Sequence, residues 1–175
     1  MERLLAARRM IFFDTQKEAT SKINHQEASL VAYLITLIVR IYGDKLQPNT
    51  VGVITPYRSQ IAKIRSLLPE GVSKLVTVDT VERYQGGARQ IIIYSIAVNN
   101  YQQMQNLQVL TDDRCVDRKL NVAITRAEQH LIIMGCRKVI SAKGPGNFYR
   151  PLVEHIEKQG YCVTQEQVRK ILSSN

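Results

Sequence analysis

Short apolar runs of strand type alternate along this chain with longer segments of helical periodicity. The strand-type runs are Met10 to Phe13, Val51 to Thr55, Lys74 to Val78, Ile91 to Val98, His130 to Gly135 and Tyr161 to Val163. The helical segments are Asn24 to Tyr42, Ser59 to Leu68, Asp112 to Ala127, Tyr149 to Lys158 and Gln165 to Leu172. Apolar strands separated by helices are typical of a mainly parallel sheet with helices on both faces. The pattern therefore predicts a three-layer α/β fold.

The excess of basic residues indicates what kind of partner the chain binds. The length of 175 residues suits one domain, and a hydrophobic fraction of 45% supplies a sizeable core. The chain carries 24 Lys and Arg against 15 Asp and Glu, which gives a formal net charge of +9. This excess favours a polyanionic partner such as nucleic acid or a nucleotide.

The sequence shows neither a metal-binding pattern nor an apolar segment long enough to span a membrane. Cys115, Cys136 and Cys162 are far apart, and with only three His they form no metal-ligand pattern. We therefore expect a reduced, intracellular protein with no metal site of its own. We expect the opening MERLLAARRM not to act as a signal peptide, because charges flank its very short apolar patch. The longest apolar run, Leu30 to Val39, is shorter than the roughly 20 residues that span a bilayer, so we expect no membrane partner.

Polar, chemically distinctive segments follow the predicted strands. They are TPYRSQ, DTVERYQGGARQ and the connection from Asn99 to Arg114. Ligands of open parallel sheets bind outside the carboxyl ends of the strands, so we expect the site at those ends. The stretch NNYQQMQNLQ is expected to be an exposed flexible loop, and a loop without function is as good an interpretation as a binding role.

The segment RKLNVAITRA, Arg118 to Ala127, is the most informative stretch for function. Four apolar residues recur at helical spacing and form one stripe: Leu120, Ala123, Ile124 and Ala127. Arg126 projects away from that stripe. A guanidinium held on a packed helix suits a phosphate group, which it can grip with two parallel hydrogen bonds. The alternative is an amphipathic surface helix with a solvated Arg.

Some catalytic machinery is missing from the sequence. There is no G-x-x-x-x-G-K-[ST] segment to hold a triphosphate, and no Asp-Glu pair ends an apolar strand to hold Mg²⁺. No Ser or Thr has a His partner suited to nucleophilic catalysis. We therefore expect no NTPase cycle from these 175 residues alone.

Three segments, in this order, resemble motifs of superfamily 1 helicases. They are Val51 to Gln60 (VGVITPYRSQ), Thr80 to Ser95 (TVERYQGGARQIIIYS) and Arg118 to Gly135 (RKLNVAITRAEQHLIIMG). The match is to the branch that contains the nonsense-mediated-decay RNA helicase and the Okazaki-fragment nuclease-helicase. Asn24, Glu27 and Ala28, ahead of the first motif, also look like that branch.

The resemblance implies a second, C-terminal RecA-like domain of the P-loop NTPase type. It implies one such domain over residues 1–175, with a core at about 10–160 and a C-terminal helical tail at 165–175. The first RecA-like domain, which carries the P-loop and the Mg²⁺ site, is not in this sequence, and neither is the Gln-Tyr-Arg segment that opens the second domain in relatives. That first domain is the implied partner, and the cofactor is ATP with Mg²⁺ in the full-length protein. No cofactor is expected on the fragment alone.

The resemblance also implies roles for single residues. Arg126 is similar to the arginine finger that reaches the γ-phosphate, and Gln85 and Gly86 correspond to residues beside the nucleotide. Thr55, Tyr57, Arg58 and Thr80 correspond to positions that meet the nucleic-acid backbone. Alternatives remain open at this point: Tyr57 and Gln60 could start and cap a helix, Thr80 could be a turn residue, and Arg58 could be solvated.

One departure from the family pattern concerns the nucleotide sugar. After Gln-Gly-x, relatives have Glu, a basic residue and Asp, whereas this chain has Ala88, Arg89 and Gln90. In relatives the Glu is thought to hold the ribose, and Ala88 cannot accept a hydrogen bond. One hypothesis is looser sugar discrimination. The other, which we favour, is compensation by another residue, including one in the first domain.

The leading interpretation is one half of an ATP-dependent helicase or translocase on single-stranded nucleic acid, with DNA favoured over RNA. One alternative is a non-catalytic nucleic-acid-binding or degenerate helicase-like module, which the altered QGGARQ segment supports. Another is an unrelated doubly wound nucleotide-binding domain, which would require the three motifs to be accidental.

Overall fold

The computed structural model describes residues 1–19, 22–84, 87–142, 144 and 147–174, and its centre is a parallel sheet of six strands. The strands are β1 Met10–Asp14, β2 Val51–Ile54, β3 Thr77–Asp79, β4 Arg89–Ser95, β5 Ala127–Gly135 and β6 Tyr161–Val163. Their order across the sheet is β3-β2-β4-β5-β1-β6, and every pairing is parallel. The predicted α/β RecA-like fold is confirmed.

Helices cover both faces of this sheet. They are α1 Glu2–Ala7, α2 His25–Tyr42, α3 Arg58–Leu67, α4 Tyr101–Leu107, α5 Arg118–Thr125, α6 Arg137–Ile140, α7 Tyr149–Gln159 and α8 Gln165–Ser173. Helices α1, α2, α3 and α8 pack on one face, and α4 to α7 pack on the other. Each face has its own hydrophobic cluster, and we call the face with α1, α2, α3 and α8 the first face and the other the second face. The side chains of β1 alternate between them, since Ile11 and Phe13 belong to the cluster on the first face and Phe12 belongs to the cluster on the second. No helix of the described residues is long and apolar enough to cross a membrane.

The connection from β3 to β4 passes over the second face of β2. Val81 and Tyr84 of this connection are buried with Ile54 and Ile92. Tyr84 lies directly over Gly52, where a Cβ would come within 1.6 Å of the Tyr84 hydroxyl oxygen. A side chain at position 52 would have to displace the buried Tyr84 ring, so glycine suits the middle of β2.

The stretch expected to be an exposed flexible loop contains helix α4, so that expectation is wrong. Asn100 caps the helix by accepting a hydrogen bond from the Gln103 N–H, and Met104 and Leu107 are buried. The many polar residues of NNYQQMQNLQ occupy the exposed side and obscure the two apolar positions three residues apart.

Several boundaries differ from the predicted ones. Helix α5 begins at Arg118 rather than Asp112, because the Asp117 side chain caps it. It ends at Thr125, and Ala127 already belongs to β5. Strand β3 begins at Thr77, since Val72–Lys74 forms a 3-10 turn. Strand β4 begins and ends earlier than predicted, at Arg89 and Ser95.

Candidate functional site

The candidate residues lie at two opposite edges of the sheet. Thr55 and Thr80 directly follow β2 and β3 at the carboxyl edge, whereas Arg126 directly precedes β5 at the amino edge. Arg89, near the end of DTVERYQGGARQ, begins β4 at the amino edge. The candidate residues therefore do not all lie at the carboxyl ends of the strands, where the sequence led us to expect the site. In a parallel sheet the segment between strands returns the chain to the amino edge, so the end of α5 has to deliver Arg126 there.

Helix α5 fixes the backbone position of Arg126. The Asp117 carboxylate accepts hydrogen bonds from the N–H groups of Lys119 at 3.0 Å and Leu120 at 3.2 Å, which anchors the first turn. Leu120 and Ala123 are buried against the second face of the sheet. Arg126 is the residue immediately after the helix, in right-handed helical backbone conformation. It is therefore held at the helix end and not on the helix body.

The Arg126 side chain is half-buried and lacks an anionic partner. Its Nε atom is buried and has no hydrogen-bond partner among the described residues. Within the same part of the chain, no carboxylate forms an ion pair with it. A buried guanidinium N–H without a partner is unfavourable. The position therefore suits an incoming anion.

Arg89 is the neighbour of Arg126 at the amino edge. Its backbone N–H donates to the Arg126 carbonyl oxygen at 2.8 Å. Its guanidinium lies 5.5 Å from the centre of the Tyr84 ring and donates to the Ala88 carbonyl at 2.9 Å. Its Nε is also buried without a partner among the described residues. Two arginines, each with an Nε–H group unpaired within this part of the chain, therefore lie side by side at the amino edge. Arg89 is the first residue of β4, and Arg126 directly precedes the neighbouring strand β5.

An ion pair ties α5 to the connection between β3 and β4. The Lys119 ammonium lies 2.7 Å from the Glu82 carboxylate. Partial burial alone would raise the pKa of Glu82, but hydrogen bonding to Lys119 and the positive charge of that ammonium hold this pKa below its usual value. Gln85 and Gly86, for which the resemblance implies a position beside the nucleotide, lie outside the described residues.

At the carboxyl edge, the first polar residues after β2 and β3 are adjacent. The Thr55 N–H donates to the Asp79 carbonyl at 3.2 Å, and the Thr80 N–H donates to the Asp79 carboxylate at 2.8 Å. Both threonines are buried, and the Thr55 hydroxyl has no partner among the described residues. Contact of these hydroxyls with nucleic acid stays a prediction.

Tyr57 and Arg58 are the solvent-accessible candidates at this edge. Tyr57 occupies the N-cap position of α3 without a capping side-chain hydrogen bond, and its half-burial raises the pKa of the phenol. Arg58 is the first residue of α3 and is exposed. The structure thus brings all four predicted nucleic-acid residues to one edge, with two accessible and two beneath them.

A buried polar network supports the carboxyl edge, and sequence reasoning did not identify it. The fully buried Glu27 carboxylate accepts hydrogen bonds from the Ser95 hydroxyl at 2.8 Å, the Ala97 N–H at 2.9 Å and the Thr15 hydroxyl at 3.2 Å. Burial raises the pKa of Glu27 to about 7, despite these hydrogen bonds. The network joins the start of α2 to the ends of β1 and β4.

Gln60 extends this network to α3. Its amide oxygen accepts from the Asn24 N–H at 2.9 Å, and its amide nitrogen donates to Ser95 at 3.1 Å. The first turn of α3, which carries Arg58, is therefore anchored to the buried carboxylate. The resemblance at Asn24 and Glu27 was the only sequence signal, because their partners are distant in the chain.

Among the described residues, no three His, Cys, Asp or Glu side chains are grouped as a metal site requires.

Comparison with known proteins gives the family. Residues 6–138 match a family model described as "AAA domain". The chain is 36% identical to the bovine DNA replication ATP-dependent helicase/nuclease DNA2 over 82% of its length. It is 33% identical to the Schizosaccharomyces pombe DNA polymerase alpha-associated DNA helicase A over 79%, and 32% identical to the Dictyostelium discoideum regulator of nonsense transcripts 1 over 86%. These matches cover only 12%, 19% and 11% of the respective relatives.

The fold and these matches define a helicase-type RecA-like domain. The chain belongs to the AAA domain family, as a C-terminal domain of the superfamily 1 helicase branch that includes DNA2 and the regulator of nonsense transcripts. The resemblance seen in the three motifs is confirmed.

Proposed function

We propose that this chain is the second motor domain of an ATP-dependent helicase or translocase on single-stranded nucleic acid. The observation that carries the proposal is the position of Arg126. It is fixed directly after a capped, packed helix, with a guanidinium that is half-buried and has no anionic partner among the described residues. In this role Arg126 is the arginine finger.

The amino edge fits one side of a nucleotide triphosphate. The half-buried Arg126 guanidinium, which forms no ion pair with any described residue, is a donor group suited to phosphate oxygens, and Arg89 adds a second positive charge beside it. The sequence holds no P-loop, so we assign most phosphate contacts and the Mg²⁺ to a first RecA-like domain. ATP supplies the phosphoanhydride bond that is hydrolysed. Arg126 stabilises the negative charge that develops on the transferred phosphoryl group, an effect of about 10³- to 10⁵-fold for such fingers.

The carboxyl edge is the proposed track for the single strand. Tyr57 offers a half-buried aromatic face to a base, and Arg58 offers a charge to the backbone. The net charge of +9 supports a polyanionic ligand. We favour DNA over RNA, which the names of the bovine and fission-yeast relatives support.

The connection from β3 to β4 couples the two edges. It begins at Thr80 beside the proposed track and ends at Arg89 beside the finger. Buried Tyr84 and the Glu82–Lys119 ion pair pack its described residues against the sheet and α5. A change in the nucleotide site would therefore reach the strand through a packed segment.

The test uses the full-length protein with its P-loop domain. We expect ATP hydrolysis that single strands stimulate, and we expect no hydrolysis from the 175-residue chain alone. Robust hydrolysis by the isolated chain, or no stimulation of the full-length protein, would contradict the proposal.

A second candidate is a nucleic-acid-binding module without catalysis. Ala88 favours it, because an exposed alanine stands where relatives have a Glu, and the Arg89 guanidinium binds the Ala88 carbonyl. This candidate predicts full-length protein that binds single strands but turns over no ATP.

A further inference from the structure

A groove lined by three arginines lies beside the carboxyl edge. Its volume is about 390 Å³, and six residues line it: Arg58, Ile61, Ala62, Arg65, Asp79 and Arg83. We call it the arginine groove. Arg58 and Arg65 come from α3, and Arg83 comes from the connection after β3. Residues from two elements therefore form one basic surface.

Two of these arginines are free to take an anion. Arg65 donates to the Val78 carbonyl at 2.9 Å and forms part of the groove wall. Arg58 and Arg83 are exposed, and neither forms an ion pair within the described part of the chain. One acidic residue, Asp79, lines the groove together with the three arginines, and its carboxylate already accepts the Thr80 N–H. The groove is therefore strongly positive.

The backbone around Arg83 is well anchored. The N–H groups of Arg83 and Tyr84 both donate to the Thr80 carbonyl, at 3.1 and 2.9 Å, which closes a turn. Val81 and Tyr84 are buried on either side, so Arg83 is held between two anchors while its side chain is exposed. A fixed backbone lowers the entropic cost of ordering the side chain on a ligand.

We propose that the arginine groove binds a phosphodiester group of the single strand, and that Arg83 and Arg58 contact it. This inference rests on the proposed function. Arg58 and Asp79 of the groove are the chain neighbours of Tyr57 and Thr80, so the groove adjoins the proposed track at the carboxyl edge. Phosphate suits the groove because the guanidinium fork binds its oxygens in pairs. Such contacts read no sequence.

The test measures binding of a fluorescein-labelled dT20 oligonucleotide to the full-length protein by anisotropy, over a range of salt concentrations. We expect Arg83→Gln and Arg58→Gln each to weaken binding by about three- to tenfold at low salt. Each should also reduce the slope of log affinity against log salt by about 0.7, the value for one contact to a single strand. The matched control is Arg169→Gln, an exposed arginine on α8, which packs on the same face as α3 but near the other end of the sheet, beside β1; this substitution should change affinity less than twofold.

The outcomes separate the two proposals. If the wild-type protein shows no salt-sensitive binding of dT20, both the proposed function and the groove assignment are wrong. If the wild type binds but Arg83→Gln behaves like Arg169→Gln, the groove assignment is wrong and the proposed function stands. If Arg58→Gln also behaves like Arg169→Gln, the backbone contact proposed for Arg58 is wrong as well. Unchanged thermal unfolding by circular dichroism would show that the exposed substitutions preserve the fold.

Discussion

The Arg89 N–H donates to the Arg126 carbonyl oxygen across 2.8 Å, which joins the start of β4 to the end of α5. Through this bond the connection that follows Thr80 ends beside the proposed arginine finger. The position of Arg126 therefore depends both on the cap of α5 and on the path of the connection between β3 and β4.

Removing the cap of α5 should destabilise the protein. Asp117→Ala deletes the acceptor for the N–H groups of Lys119 and Leu120 at a buried helix start. We expect the free energy of unfolding to fall by about 1 to 2 kcal/mol, measured by urea denaturation.

The control for this cap is Asp117→Asn. Asparagine keeps an oxygen acceptor, and burial already raises the pKa of the Asp117 carboxyl, so the charge itself is not favoured there. We expect this variant to stay within about 0.5 kcal/mol of the wild type. An equal loss in both variants would mean that the cap is not the cause.

Glu27 should make stability depend on pH. Its folded-state pKa of about 7 lies above the unfolded value of 4.5, because burial disfavours the charged form. The protonated carboxyl therefore stabilises the fold fully below about pH 4.5, and this contribution is lost as pH rises towards and through 7. The loss amounts to roughly 3 kcal/mol at most.

The measurement compares urea unfolding of the wild type and Glu27→Gln between pH 4.5 and 8. Glutamine cannot ionise, so the variant should lack the decline that the wild type shows over this range. Parallel pH profiles in the two proteins would refute the assignment of this decline to Glu27.

Gly52 should not tolerate a side chain. A Cβ at this position would come within 1.6 Å of the Tyr84 hydroxyl and 2.6 Å of its ring. We expect Gly52→Ala to lower the free energy of unfolding by about 1 to 3 kcal/mol through overpacking. In a Tyr84→Ala background the same substitution should cost much less, and purely additive effects in this double-mutant cycle would contradict the packing.

Ala88 tests the departure from the family pattern. We expect Ala88→Glu to leave the ratio of ATP to dATP turnover of the full-length protein unchanged, because another residue compensates for the missing carboxylate. A ratio that rises severalfold in the variant would instead support looser sugar discrimination in the wild type.

Much of the fold could be predicted because its signals are local. The apolar runs at Met10, Val51 and Ile91 marked strands, and α/β alternation gave the parallel sheet. Helix α4 was missed, because its two buried residues are hidden among polar ones. The start of α5 was misplaced, since only the three-dimensional structure shows that Asp117 is the cap.

The motifs single out candidate residues, but they do not give the positions of those residues in the fold. The motifs named Arg126 and Thr80, yet they did not show that these residues lie at opposite edges of the sheet. Glu27 acquires its role from Thr15, Ser95 and Ala97, which are brought together only by folding. Arg83 and Arg65 meet in the arginine groove for the same reason.

The most direct test of the central proposal is single-turnover ATP hydrolysis by the full-length protein with Arg126→Ala. Arg169→Ala on the opposite face of the sheet is the matched control. We expect Arg126→Ala to slow the chemical step by at least about 10³-fold, while dT20 binding changes little and the control keeps wild-type rates. A wild-type rate in Arg126→Ala would contradict the assignment of Arg126 as the arginine finger.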